Sequence, residues 1–450
     1  MKLKHILIFL LFSLNIFAQN ENQNSHFQCF TKEEMKEFTA KTIAAKRAYY
    51  AEHKISEANL RKAANHHVLF RWPLQSSADY DFQYNNSTIT NFVDQDVTDN
   101  NVDDNVRNPD FIEDWNCGKR TYDGHRAEDI ALFPFSWYLM EKQSAMVVAA
   151  AAGTILDKGD GNYDKNCQWA GAGNSNFVNI LHDDGTVSSY RHLKENSVTT
   201  KANNSRVEEG EYLGFVGSSG RSTGPHLHFE VTDINDDLID PFVGSCNILN
   251  NDTWWKDQRS YWEPQINRIM THSASPIQGS CWNDTGDFTA QVVSADNYFS
   301  SGAIFWTSVA FQDVQPFDLA ECSLIQPNGA EYSTWQHSFS VADNSTLKIG
   351  FHQLPSGNTG TWIVKVVYRS KNYYHFFTVG CNSSESVSGS VIGSKGYISS
   401  TNITSEVVHS TNSMSKVLYQ AGTEITFSPG FEIKSGAHLK ARIKGCSFVE

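Results

Sequence analysis

Near the N-terminus Met35, Phe38, Ile43 and Ala44 form an apolar stripe at helical spacing, and Thr31 followed by Glu34 has the form of a capping box. This predicts a helix starting near residue 31 and running to about His67. From Phe70-Arg71-Trp72-Pro73 the apolar period shortens. Runs over 146–152, 177–181, 212–216 and 226–231 are each bounded by turn residues, as strands are. After Cys246 the chain is rich in aromatics (Trp254, Trp255, Trp262) and reads as a partly helical connector over 246–280. Within 281–380, Trp362, Val364, Val366 and Tyr368 alternate, Ser370-Lys371-Asn372 turns and 374–379 returns, which is a hairpin. Several such runs predict a β-sandwich there. The last stretch, 381–450, repeats a theme of Ala421-Gly422, Pro429-Gly430 and Ser435-Gly436, each followed by alternating apolar residues. That spacing suits short stacked strands or solenoid-like rungs. The expected class is therefore mainly β: an N-terminal helical segment (19–68), either a pro-segment or a brace on the next domain, then a β domain (69–245), a connector, a sandwich and a small C-terminal β module.

The first residues change the picture of where this chain works. Lys2, Lys4 and His5 precede an apolar run over 6–17 and then Ala18-Gln19. The run is too short to span a bilayer and has the layout of a signal peptide, 1–18, cut after Ala18. The expected product is soluble and secreted, periplasmic or held at the cell surface. Eight widely spread cysteines (Cys29, Cys117, Cys167, Cys246, Cys281, Cys322, Cys381 and Cys446), none in a CxxC pair, suit disulfide staples in an exported chain. Cys117–Cys167 is the favoured pair, because both lie within 69–245. A hydrophobic content of 40% with 12% aromatics supports real cores over 450 residues. The net charge is 36 − 50 = −14, with no basic run, which argues against nucleic-acid binding. The Asp-rich stretch 94–110 lacks the central Gly and terminal Glu of an EF-hand and reads as a solvated loop.

Candidate chemistry is concentrated in histidines. In Gly224-Pro225-His226-Leu227-His228-Phe229-Glu230-Val231, strand alternation projects His226 and His228 to one face and Leu227 and Phe229 to the other. Two imidazoles on one face suit a metal ligand beside a base; the plainer alternative is a pair of surface histidines on an edge strand. His125 and Asp129 are four apart, so a helical turn or a compact loop brings them to one point, with Glu128 as the rival carboxylate. With one strand histidine they make two nitrogens and one oxygen, a donor set typical of catalytic zinc, which keeps a fourth position for water. His192 ends the run Ser189-Tyr190-Arg191-His192-Leu193 and becomes a catalytic candidate only through this company. His182 has no chemical warrant and reads as structural. Gly220-Arg221-Ser222-Thr223-Gly224 matches the G-x-S-x-G nucleophile elbow, but that motif needs a helix after it, and here a strand pattern follows. HExxH is absent.

Taken together, these residues resemble the M23 peptidases, the lysostaphin or LytM-type group. The resemblance rests on His125…Asp129, on Tyr190-Arg191-His192-Leu193, and on the run from Gly217 through Pro225-His226-Leu227-His228-Phe229-Glu230. It covers about 69–245. Two departures stand out: Ala127 replaces the family's usual Gly, and 131–145 is longer than usual, which is expected to reshape one wall of the cleft. The tail is more loosely similar to C-terminal modules of secreted Bacteroidetes proteins. The resemblance implies a small antiparallel β domain holding one Zn2+ through His125, Asp129 and His228. It implies His192 and His226 as catalytic histidines, His226 being the expected base, and Tyr122 as a candidate oxyanion contact. The implied activity is hydrolysis of peptide cross-links in bacterial peptidoglycan. The alternatives are cleavage of Gly-rich, elastin-like proteins, or a non-catalytic wall-binding regulator. The two C-terminal pieces read as binding, sorting or surface-retention modules.

Overall fold

A computed structural model describes residues 32–58, 60, 67–77, 85–95, 112–167, 173–279, 291–388, 390–392, 394–406, 408–410, 416–433 and 437–446. The expected signal peptide, Cys29, Cys281 and most of the Asp-rich stretch lie outside the described residues.

Helix α1 spans Lys32–His53 and ends earlier than the sequence pattern predicts. Lys54 takes a left-handed conformation, and the Ile55 N–H returns to the Tyr50 carbonyl, which closes the last turn. The main sheet has seven strands in the order β2-β3-β10-β7-β6-β5-β8, with β11 added beside β10. Their ranges are β2 Ser87–Asn91, β3 Glu128–Leu132, β5 Gly153–Gly159, β6 Phe177–Leu181, β7 Val187–Arg191, β8 Arg206–Val207, β10 His226–Thr232 and β11 Leu238–Ile239. A second small sheet is built from β1 (Leu74–Ser76), β4 (Ala145–Val148) and β9 (Tyr212–Phe215). Between the two sheets lies a core that includes Phe70, Val147, Ile180, Tyr190, Leu213, Leu227 and Phe229.

Because strand side chains alternate, the residues facing this core leave the other face of the main sheet to Asp129, Asn179, Arg191, His226, His228 and Glu230. Helix α1 packs on that same face, over β5–β7. Tyr50 joins Leu156, Leu181 and Val187 in a small cluster, and the Asn179 amide donates to Thr42 Oγ1. Buried Lys46 ties the helix to the β10–β11 turn through Asp236 (2.7 Å) and the Asp233 and Ile234 carbonyls.

No helix forms over 246–279; Gln265–His272 is instead strand β12. It pairs with β14 (Ile304–Val314), which pairs with β17 (Asp343–Gln353). This sheet faces a second one of order β13-β19-β18-β15-β16, with β13 Tyr298–Phe299, β15 Leu319–Ile325, β16 Glu331–Ser338, β18 Gly360–Tyr368 and β19 Lys371–Val379. The β18–β19 turn holds Arg369 and Ser370 at positive φ, as a tight hairpin of right-handed twist requires. Phe305, Val309, Phe311, Trp362, Val366 and Phe377 fill the space between the sheets.

The long stretch 131–145 reaches the sandwich. Its short helix α2 (Ser136–Glu141) is preceded by Phe135, which is 1% exposed and packs on Met270 and Val293 of the sandwich. Edge strand β2 meets the same sandwich through Thr88 Oγ1 to the Asn344 carbonyl (3.2 Å) and Asn267 Nδ2 to the Ser87 carbonyl (3.1 Å). A chain edge that would otherwise invite pairing is thus covered.

The tail winds as three coils, each contributing one strand to each of three parallel sheets, around Ile403, Val417, Tyr419 and Ala421. Cys381 and Cys446 are joined across it. Cys117 pairs with Cys246, not with Cys167. The reason is spatial: the Cys246 N–H bonds to the Trp115 carbonyl, so the segment after β11 folds back beside Cys117. Cys322 is a buried free thiol, pushed up to about 12 by burial, and so is chemically quiet.

Candidate metal centre and active site

The site is assembled from one sheet face and two loops. Asp129 on β3 stands directly opposite His228 on β10, and Arg191 on β7 stands opposite His228 from the other side. His125 arrives on the compact loop before β3, where the Asp94 carboxylate accepts the Gly124 N–H and the Asp94 N–H donates to the His125 carbonyl. His125, Asp129 and His228 are all buried, and they offer ligand atoms within 4.8 Å of one another. His125 Nε2 lies 3.1 Å from Asp129 Oδ2, and His228 Nδ1 lies 3.1 Å from Asp129 Oδ1. Ala127 causes no strain here. It is buried and is not among the residues with positive φ, so its position does not need glycine.

His192 follows β7 in a left-handed conformation (φ 62), and its ring centroid is 4.5 Å from that of His226 and 5.7 Å from that of His228. The loop after β9 supports it. A Cβ on Gly217 would come within 2.5 Å of the Lys194 backbone, so only glycine lets the two segments approach this closely.

Main-chain carbonyls define the tautomers. His125 Nδ1 meets the Phe92 carbonyl at 2.7 Å, His192 Nδ1 the Ser219 carbonyl at 2.7 Å, and His226 Nδ1 the Gly224 carbonyl at 2.8 Å. A carbonyl can only accept, so each Nδ1 carries the proton and each Nε2 keeps a lone pair. For His125 that lone pair faces Asp129. Two imidazole nitrogens and a carboxylate converging in a buried space, with the outer nitrogen of His125 already engaged by the Phe92 carbonyl, fit a divalent cation of zinc type.

The electrostatics agree with this arrangement. Burial alone would raise the Asp129 carboxyl, but the surrounding His125, His226 and His228 rings hold it well below the usual range. Burial and repulsion from His226 and His228 push His192 well down, and burial lowers His226, so both rings are neutral near pH 7. Glu128, the rival carboxylate, turns not to solvent but into the core beside Asp240, where burial and that neighbour push its carboxyl well up. Tyr122 packs its ring against His125 at 4.3 Å between centroids. His182 has both ring nitrogens engaged, by the Ala152 carbonyl and Ser188 Oγ. Ser222 is fully buried, its hydroxyl donates to the Gly224 carbonyl, and strand β10 follows it rather than a helix. The nucleophile-elbow match is accidental.

Residues 137–241 match the model of Peptidase family M23. The chain carries an M23 peptidase domain. The matched stretch takes in His192, His226 and His228 and begins after His125 and Asp129. Over 100 residues the chain is 41% identical to the DD-carboxypeptidase/endopeptidase Mpg of Neisseria meningitidis serogroup B, covering 22% of this chain and 20% of that one. It is 33% identical over 99 residues to the peptidoglycan DD-endopeptidase ShyC of Vibrio cholerae, 22% of each chain, and 32% identical over 85 residues to lysostaphin of Staphylococcus simulans, 19% and 15%. The chain thus spans about a fifth of the length of the curated relatives it matches. Among solved structures it is similar to the lysostaphin catalytic domain from Staphylococcus simulans (25% identity, 26% of this chain and 76% of that one, TM-score 0.19).

The M23 domain also contains site residues that motif reading left without a role: Arg126, Arg191 and Glu230. Glu230 stands two positions beyond His228 on the same strand face, and that spacing was the available signal. The burial of Arg191 had none, because the residue covering it comes from α1, about 150 positions earlier.

Proposed function

We propose that this chain is an exported zinc endopeptidase that hydrolyses the peptide cross-links of bacterial peptidoglycan. The observation that carries the reading is the buried His125–Asp129–His228 triad with the neutral His192 and His226 rings beside it. Zinc bound there would polarise a carbonyl and lower the pKa of a coordinated water from 15.7 to about 7. His226, its Nδ1 proton fixed on the Gly224 carbonyl, offers Nε2 as the base that takes a water proton and passes it to the leaving amine. His192, oriented by the Ser219 carbonyl, supports charge developing on the carbonyl oxygen. Tyr122 steadies the His125 ring and is a weaker contributor to the same oxygen.

The peptidoglycan assignment is supported by the names of the relatives. Export is supported by the layout of residues 1–18. Among the described residues no helix is long and apolar enough to cross a membrane.

The test compares zinc content and solubilisation of sacculi for the protein lacking 1–18 and for its His228→Ala variant. About one zinc per chain with activity, both lost in the variant, is the expected result. Zinc without action on sacculi, but with cleavage of elastin or oligoglycine, would move the substrate to Gly-rich proteins. A folded protein with neither zinc nor activity would be a wall-binding regulator.

A further inference from the structure

His228 differs from the other three imidazoles of the site. A main-chain carbonyl orients each of those, whereas His228 turns its outer nitrogen, Nε2, towards the side chain of Glu230, with Oε2 3.8 Å away. A carboxylate side chain can swing, so something must hold it. Glu230 Oε1 is 3.2 Å from the Arg126 guanidinium. Arg191 adds a second positive charge from β7, directly opposite His228. Arg191 is only 3% exposed, and what excludes water from it is not the peptidase sheet alone. The Phe38 ring of α1 lies 4.4 Å from its guanidinium carbon, and Phe177 lies 5.7 Å from it.

We propose that α1 is an outer part of the metal centre: Phe38 pins Arg191, Arg191 and Arg126 hold Glu230, and Glu230 fixes the His228 ring so that Nδ1 faces Asp129. This rests on the reading of His125, Asp129 and His228 as metal ligands. A guanidinium kept dry beneath an aromatic face is attracted to it more strongly than in water. Removing the ring admits water to Arg191 and loosens its charge on Glu230. Carboxylates behind ligand histidines set ring orientation and basicity, and their loss typically weakens metal binding by roughly 10–100-fold. Phe38 and Arg191 are positioning residues here, since neither reaches the ligand atoms. Helix α1 is separately anchored at Lys46, two turns further along, so a change at Phe38 leaves its main attachment in place. On this view the N-terminal helix is a working element of the centre, not a segment to be discarded.

The experiment is zinc affinity by competition with a chromophoric chelator, on the full chain and its Glu230→Gln, Phe38→Ala, Phe38→Leu and Phe38→Tyr variants. The unfolding temperature of each metal-free protein is measured alongside. Glu230→Gln should bind zinc roughly tenfold or more weakly. Phe38→Ala and Phe38→Leu should weaken it several-fold, while Phe38→Tyr, which keeps the ring face, stays near the unaltered protein. The leucine variant fills the same space without a ring, so it separates cover of the guanidinium from simple packing. Unchanged affinity in both the alanine and leucine variants, with Glu230→Gln impaired, would overturn the role of α1. Unchanged affinity in all four would overturn the whole relay. An unaltered protein that binds no zinc would instead sink the metal reading itself, and this inference with it.

Discussion

Asp129 and His228 face each other across β3 and β10, with His228 Nδ1 3.1 Å from Asp129 Oδ1. Directly opposed residues on antiparallel strands hold their Cβ atoms about 4.5–5.5 Å apart. Strand register thus sets the spacing of two of the proposed ligands without any loop, and a loop tied to Phe92 supplies the third. A metal that binds only the folded site stabilises it by mass action, by about 4 kcal/mol when free metal is 1,000 times its Kd. Chelation should therefore lower the unfolding temperature of the M23 domain, and zinc should restore it. In Asp129→Asn protein, scanning calorimetry should show no zinc-dependent shift. If chelation leaves the unaltered protein's transition where it was, the site is not metal-loaded.

The roles proposed for His226 and His192 can be told apart without touching the proposed metal ligands. His226→Gln should keep its zinc and lose roughly 10²–10⁴-fold in kcat, the usual share of a positioned general base. Its acid limb in the kcat/KM profile should vanish with the base. His192→Gln should lower the rate while the limb persists. Should the limb disappear in His192→Gln instead, the two roles are exchanged.

The sequence brings the proposed ligands into view because they follow strand alternation and short spacing. His226, His228 and Asp129 are placed by the period of two and by neighbouring strands. The tail's repeated Gly-containing theme likewise foretold stacked strands. What stayed hidden depends on distant segments meeting. Cys117 finds Cys246 only because the chain folds back past Trp115, and no spacing rule encodes that. Strand β12 was hidden by the aromatic residues around it, since Trp254 and Trp255 pack into the peptidase core while Ile266 and Ile269 pack into the sandwich.

Phe135 gives the stretch 131–145 a purpose that the motif comparison could not. It is buried against Met270 and Val293, edge-on to the His272 ring at 5.8 Å. Truncating a buried Phe costs about 3–5 kcal/mol. Phe135→Ala should therefore separate the M23 domain and the sandwich into two calorimetric transitions while leaving zinc content unchanged. A single transition at the original temperature would mean that the polar contacts of β2 suffice to join them.

The sandwich should lose stability in acid. Burial pushes His272, His337 and His352 down to about 4, with repulsion from Lys348 adding to the effect at His337. Each stays neutral in the folded state, His272 between the Val293 carbonyl and Ser308 Oγ, and His352 against Thr307 Oγ1. The unfolded chain takes up these protons near pH 6.5, so between pH 6.5 and 4 it binds more protons than the folded one, and stability falls as pH falls. The stabilisation is whole above about pH 6.5 and is lost on the way down to about 4. At most it amounts to about 3 kcal/mol per ring. Thermal unfolding of the Phe135→Ala protein, in which the sandwich melts by itself, should show the drop between pH 7.5 and pH 4.5. His352→Gln, which cannot take up a proton, should make that drop smaller. A transition equally stable at both pH values would mean that these rings are protonated without penalty and that their burial has little energetic weight.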